Sequence, residues 1–272
     1  MLGYFSLFLI LILIQYSHLN SNVKLLIFYF ILVFFTGLRY NIGYDYMSYT
    51  ENIENQWYSS EPIPAFFQWL AHYTDNSLFF FLSSAFIYAF YFLGIKNASK
   101  DKIGSVYFFL AFPFLYFSSL STVRQSMALA VIFYLITLRD CSIKKKIIFI
   151  VIAFLSHTSA LIGILLFIPW KKIPIWMLSI IFISSQILSI IIIKIIFAIQ
   201  LNNILYLKLL NYIEEGENYL GGSKTSILVY AITIITICLS RKIKKYDPQS
   251  SSYIPLIILG GSLYAIFSVY DI

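Results

Sequence analysis

The sequence predicts an all-α, polytopic integral membrane protein with about eight to nine transmembrane helices. Three observations lead there. Of 272 residues, 60% are hydrophobic and 11% are charged. Apolar runs of about 20 residues, the length that crosses a hydrocarbon core of ~30 Å, recur from one end to the other. The lysines gather in the short stretches between those runs, as they do where basic loops orient a chain in a bilayer. The net charge of +7 is therefore an orienting charge and does not point to nucleic acid. A mean hydropathy of +0.83 leaves no room for a sizeable soluble domain. No Gly/Pro/Ser linker and no internal repeat divides the chain, which reads as a single membrane domain, 1–272, with one long extracytoplasmic loop at 39–76.

The apolar segments are Leu2–Tyr16, Val23–Leu38, Ser77–Ile95, Ile103–Phe117, Ser121–Leu138, Ile147–Pro169, Ile175–Gln200, Thr225–Ser240 and Ser252–Tyr270. The first has no basic region before it and no small-residue cleavage pattern, so it reads as a retained span. Lys24, the Lys96–Lys102 stretch and the Arg139–Lys146 stretch fall on one side if the spans alternate, and that side is the cytoplasm. The loop Arg39–Asn76 then lies outside, in keeping with Asp45, Glu51, Glu54, Glu61 and Asp75 against one Arg39. Further on, Lys171 and Lys172 call for the cytoplasm, as do Arg241, Lys242, Lys244 and Lys245, while Asn202–Lys224 with Glu214, Glu215 and Glu217 calls for the outside. All are satisfied when Ile147–Pro169 is a re-entrant hairpin with Ser156-His157-Thr158-Ser159 at its apex, its backbone covered by protein or a wet cavity. The competing reading is one ordinary span. Both place His157 deep in the membrane. Lys194 reads as snorkelling to an interface.

Four features stand above this apolar background. Gly37-Leu38-Arg39-Tyr40-Asn41-Ile42-Gly43-Tyr44-Asp45-Tyr46 follows the second span; its glycines permit tight backbone, and Arg39 and Asp45 bring opposite charges to the membrane face. Interfacial anchoring by Tyr and Arg is the plainer explanation. Next come Tyr49, Glu61-Pro62 and an amphipathic run, Pro64–Tyr73, read as a helix on the outer surface with Phe66, Phe67, Trp69 and Leu70 toward lipid or the bundle. This helix is either structural cover or a lid.

The third feature is Ser121-Thr122-Val123-Arg124-Gln125, expected after a tight outer turn at Phe117, with Ser121 capping the helix. A guanidinium in an apolar span costs roughly 2.5–3.5 kcal/mol at a helix centre. A positive helix end beside it makes a phosphate site; snorkelling to headgroups is the alternative. The fourth feature is His157, an intramembrane ionisable group among hydroxyls, either a satisfied polar contact or a catalyst. His18, His72 and His157 are too scattered for metal spacing, and no P-loop, HExxH or GxSxG is present. Neither metal nor cofactor is expected.

In order, Gly37-Leu38-Arg39-Tyr40 with Gly43-x-Asp45 and Tyr49, Glu61-Pro62, Val123-Arg124-Gln125-x-x-Ala128 and Leu155-Ser156-His157-x-Ser159-Ala160 resemble the EpsG family of membrane polysaccharide polymerases, similar in role to Wzy-type O-antigen and capsule polymerases. The motifs cover about residues 25–170, and the last third is similar in hydropathy alone. The resemblance implies a GT-C-like architecture in the bacterial cytoplasmic (inner) membrane. It implies that polyprenyl-diphosphate-linked oligosaccharide repeat units are joined on the outer face, with a flippase and a chain-length regulator in the same pathway. A sugar hydroxyl attacks an anomeric carbon and the polyprenyl diphosphate leaves. On this reading Arg124 and Arg39 grip the diphosphate and His157 or Asp45 takes the proton. Tyr40, Tyr44, Tyr46 and Trp57 stack on sugars, and Gly43, Tyr49, Gln125 and Ser121 belong to the substrate site. The family pattern also has an Arg-containing outer segment after the equivalent of Ser252–Tyr270, whereas this chain stops at Asp271-Ile272. The alternatives are a flippase for the same lipid-linked units, disfavoured by the missing repeat, and a membrane acyltransferase acting on surface sugars.

Overall fold

The computed structural model describes residues 2–138, 141–199, 222–247 and 250–267. Among these every regular element is helical. In chain order they are α1 (Leu2–Gln15), α2 (Ser21–Gly37), α3 (Tyr46–Glu54), α4 (Pro62–His72), α5 (Asn76–Ala98), α6 (Lys102–Ala111), α7 (Pro113–Ser121), α8 (Val123–Thr137) and α9 (Ile143–Ser156). They continue with 3-10 turns at Thr158–Phe167 and Trp170–Lys172, α10 (Ile175–Ile199), α11 (Gly222–Tyr246), a 3-10 turn at Ser250–Tyr253 and α12 (Ile254–Phe267). The acidic stretch with Glu214, Glu215 and Glu217, and Arg139 of the basic stretch, lie outside the described residues. The chain falls into two compact units, Met1–Leu166 and Phe167–Ile272.

The first unit is built on α5. At 23 residues it runs about 34 Å, enough by itself to cross a bilayer core. Its mean composition is apolar all round, the mark of a helix surrounded by others: α2, α4, α6 and α8 all pack on it. Two glycines set the close approaches. A Cβ on Gly37 of α2 would come within 2.8 Å of the Phe81 Cα, and one on Gly94 of α5 within 2.5 Å of the Phe133 ring of α8. Small residues at such crossings let backbones near each other where no hydrophobic force separates lipid from protein. The core they enclose is aromatic, with Phe28, Phe79, Phe80, Tyr88 and Tyr116 fully buried.

Three elements differ from the expected spans. The Ile103–Phe117 segment is not one straight helix: α6 ends at Ala111, Pro113 opens α7, and the two helical pieces diverge by 57°. A proline ring removes a donor and clashes with the preceding turn, so the bend falls there. The turn expected at Phe117 lies later, at Thr122 (φ −94°, ψ 67°), between α7 and α8. The outer loop is itself largely helical, forming α3 and α4. In α4 the buried face carries Pro64, Gln68 and Ala71, while Phe66 and Trp69 stack on each other at 6.0 Å and are half exposed. The helix thus turns its aromatic edge outward and a polar group inward.

The Ile147–Pro169 segment folds back on itself. α9 stops at Ser156 because His157 takes an extended backbone. The following 3-10 turn then runs back along α9: a Cβ on Gly163 would lie 3.6 Å from Ile150, and the Lys146 ammonium donates to the Leu166 carbonyl at 3.5 Å. Both legs therefore end together, far from His157. The second unit is a smaller bundle in which α12 packs on α10 and α11, with Leu178, Phe182, Ile254 and Ile258 as its core. Gly261 gives room to Thr233 there, the Oγ1 lying 2.2 Å from where a Cβ would stand.

A cysteine pair placed at Ile150→Cys and Gly163→Cys, with Cys141 and Cys238 replaced by serine, is expected to form an intramolecular disulfide on mild oxidation. Peptide mapping in which this pair stays reduced, while cysteines at sites already in contact oxidise, would mean that the segment runs straight on.

Candidate functional site

The site forms where the outer helices meet the starts of α5 and α8 and the turn after α9. Glu61 is its centre. It is the N-cap of α4, and its side chain is only 5% exposed. A carboxylate taken that far from water must be paired. Glu61 Oε2 accepts from Arg124 Nη1 at 2.7 Å and from the Ser59 hydroxyl. Glu61 Oε1 faces His157 Nδ1 at 2.9 Å. Ser59 Oγ also accepts from Arg124 at 3.2 Å, and the Ser59 N–H donates to Gln68 Oε1 at 2.7 Å, which explains the inward face of α4. One carboxylate thus joins α4, α8 and the α9 turn.

Burial pushes the Glu61 carboxyl up, but the Ser59 hydroxyl, the Arg124 guanidinium and the His157 imidazole outweigh it and hold it at about 2 against an ordinary 4.5. Beside this cluster opens a polar cavity of about 350 Å³, lined by Asp45, Tyr49 and Asn52 of the α3 region, by Trp57 and Ser59, and by Arg124. Burial raises the Asp45 carboxyl, with the Arg124 charge pulling it part of the way back. Arg124 stands second in α8, within the first turn, where the helix end is positive.

The sequence-derived candidates separate on this geometry. Arg124, Asp45 and Tyr49 line the cavity, and His157 reaches it through Glu61. His157 therefore has its ring against Glu61, at the start of α4. Gly43 holds φ +103°, and a Cβ there would fall 2.0 Å from the Leu120 carbonyl oxygen, so only glycine fits. Ser121 does not cap α8. It closes α7, and its hydroxyl accepts from the Tyr44 N–H at 3.3 Å, while Thr122 precedes α8 with no side-chain cap. Together Gly43 and Ser121 pin the outer loop to the α7–α8 bend.

Two other candidates lie elsewhere. Tyr40 is 84% exposed and Gln125 is exposed; neither lines the cavity. Arg39 is 6% exposed. Its guanidinium lies 4.8 Å over the Phe80 ring, close to Tyr4, Tyr46, Tyr88 and Tyr116, an arrangement in which aromatic faces replace a counter-ion. Its link to Arg124 passes through Phe80 and Tyr49, whose rings are 6.3 Å apart. Arg124 lines the polar cavity and Arg39 is not among its lining residues. Glu61 itself was visible in the sequence as part of Glu-Pro at a helix start, but an acid in an outer loop reads as charge bias unless its partners, 63 and 96 residues away, are known. Among the described residues no group of three or more His, Cys, Asp or Glu side chains could hold a metal ion.

Apolar helices, the regular elements among the described residues, with a cation, a carboxylate and an imidazole joined beside a polar cavity define a helical membrane protein with a polar site. The chain belongs to the EpsG family, whose model matches residues 22–272; this is a Wzy-like polysaccharide polymerase family of membrane proteins. The match extends well past the stretch in which the motifs are legible. Neither a curated protein nor a solved structure matches the chain.

Since the Glu61 carboxyl is held below its ordinary value, its contribution to stability is complete above about pH 4.5 and is lost as pH falls toward 2. The unfolding temperature in detergent is expected to decline across that window in the native protein. Glu61→Gln should be less stable at pH 7 and nearly flat through the same range; parallel curves for the two proteins would disprove the pairing.

Proposed function

We propose that this chain polymerises polyprenyl-diphosphate-linked oligosaccharide repeat units into a surface polysaccharide, a glycosyltransferase-type reaction on the outer face of the bacterial cytoplasmic membrane. The observation that carries the reading is the meeting of Arg124 and His157 on one carboxylate beside a polar cavity, in a chain of a polysaccharide polymerase family. The reaction needs two things from the protein. The leaving group is a diphosphate, and a fixed cation in a site poor in water stabilises the charge that builds on it. The attacking sugar hydroxyl must lose its proton as the new glycosidic bond forms, which a positioned base assists.

Arg124 supplies the cation, at a helix end that adds to it. His157 or Asp45 supplies the base. The acceptor hydroxyl oxygen bonds to the anomeric carbon, the bond from that carbon to the diphosphate oxygen breaks, and the electron pair leaves with the diphosphate. Tyr49 and Trp57 give the cavity flat faces for a sugar ring, with Asn52 and Ser59 as hydrogen-bonding groups. Arg39 serves the fold on this reading: it fixes the start of the outer loop against Phe80. The polar hairpin at His157 is re-entrant, which puts Lys171 and Lys172 on the cytoplasmic side and makes the protein multi-pass. A flippase that delivers the repeat units and a chain-length regulator are the expected pathway partners.

Arg124→Ala and His157→Ala are expected to abolish long-chain polymer, leaving single repeat units that still reach the cell surface. Gel ladders of surface polysaccharide read the outcome. Ladders of normal length from both variants would remove these residues from the catalytic machinery.

A further inference from the structure

Glu61 binds its two neighbours with different oxygens. Oε2 is taken by Arg124 and Ser59, while Oε1 is left to His157 Nδ1. A carboxylate facing a ring nitrogen at this distance fixes which nitrogen carries the proton: Nδ1 donates, and Nε2 is left with its lone pair. His157 makes no other side-chain hydrogen bond among the described residues, and its ring is 17% exposed, so Nε2 is open to a ligand. Ser59 holds Glu61 through its hydroxyl, and Gln68 holds the Ser59 backbone. The carboxylate is thus fixed independently of Arg124.

We propose that Glu61 is a positioning residue that orients His157 as the base and couples it to Arg124, so that an anion seated on Arg124 leaves the carboxylate charge to His157 alone. This rests on the polymerase reading for the identity of the anion, a diphosphate, and for the role of His157 as base. In the resting protein Arg124 offsets the Glu61 charge. When a diphosphate engages Arg124, that offset is shared, and the Glu61 carboxylate is left to hold the His157 Nδ1–H. The ring is then fixed, with its Nε2 lone pair outward, when the donor substrate is in place. The charged and titratable groups facing this arrangement are Glu61 of α4, Arg124 of α8, and Asp45 and Tyr49 on the cavity wall.

The test measures His157 directly in the purified full-length protein. The rate of its modification by diethyl pyrocarbonate, which attacks the free Nε2, is followed by mass spectrometry at a fixed pH, with and without inorganic pyrophosphate. In Glu61→Gln the rate is expected to fall, because the charge that holds the Nδ1 proton and leaves Nε2 free is gone. Pyrophosphate should raise the rate in the native protein and do so less in Arg124→Gln. Glu61→Asp, which keeps the charge, should recover much of the native rate and serves if the glutamine variant does not fold. In polymer synthesis Glu61→Gln should lower the rate by at least about tenfold, a part of the 10²–10⁴ that a positioned base contributes. An unchanged His157 modification rate in Glu61→Gln overturns the proposal whatever the protein makes. A changed rate with unchanged polymer synthesis removes His157 as the base and with it the positioning role, while the polymerase reading stands.

Discussion

A carboxylate held away from water is stable only where cations and donors surround it, and Glu61 meets that condition by recruiting from three parts of the chain. Ser59 comes from its own turn, Arg124 from the start of α8, and His157 from the break after α9. Each partner would be costly without the others. Arg124 would be a lone charge in an apolar helix, and His157 a polar interruption in a greasy hairpin. The same constraint explains the inverted face of α4: Gln68 turns inward because the Ser59 N–H needs an acceptor, which leaves Phe66 and Trp69 outward.

Around this polar knot the packing is carried by rings. Tyr46 stacks flat on Phe80 at 4.5 Å, and Tyr49 tilts against Phe79 at 4.9 Å. These contacts seat α3 on the start of α5, and they put the cavity wall on the longest helix described in the unit. Arg39 joins the same layer from the other side, over Phe80. A guanidinium among rings holds position without needing an acid, so a charge at the membrane face contributes to architecture here and not to the polar cavity.

Much of this was legible in the sequence. The ends of α2, α5 and α8 fall within a few residues of the apolar runs, because length and hydropathy decide spans. The polar apex at His157 was visible as a break in an apolar stretch, and the glycine at position 43 as a tight turn. What was hidden depends on distant partners. The Pro113 bend and the later turn at Thr122 displace Ser121 from a capping role into the end of α7, and only the bound Tyr44 N–H shows its use. Arg39 and Arg124 look alike as isolated arginines; an aromatic layer contributed by α5 and α3 separates their fates. Glu61 shows locally only as part of Glu61-Pro62 at a helix start, since its partners lie 63 and 96 residues away.

The clamp between Gly43 and the Leu120 carbonyl, with Tyr44 bonded to Ser121, reaches further than the loop it fastens. Asp45 and Tyr49 follow just after one side of that clamp, and Arg124 just after the other. Lining residues from two distant parts of the chain therefore hang from a single rivet. The remaining side, from Trp57 to Ser59, is tied down by separate hydrogen bonds. The chamber is thus fastened on both sides, by this clamp and by the bonds of Ser59 to Gln68 and Glu61.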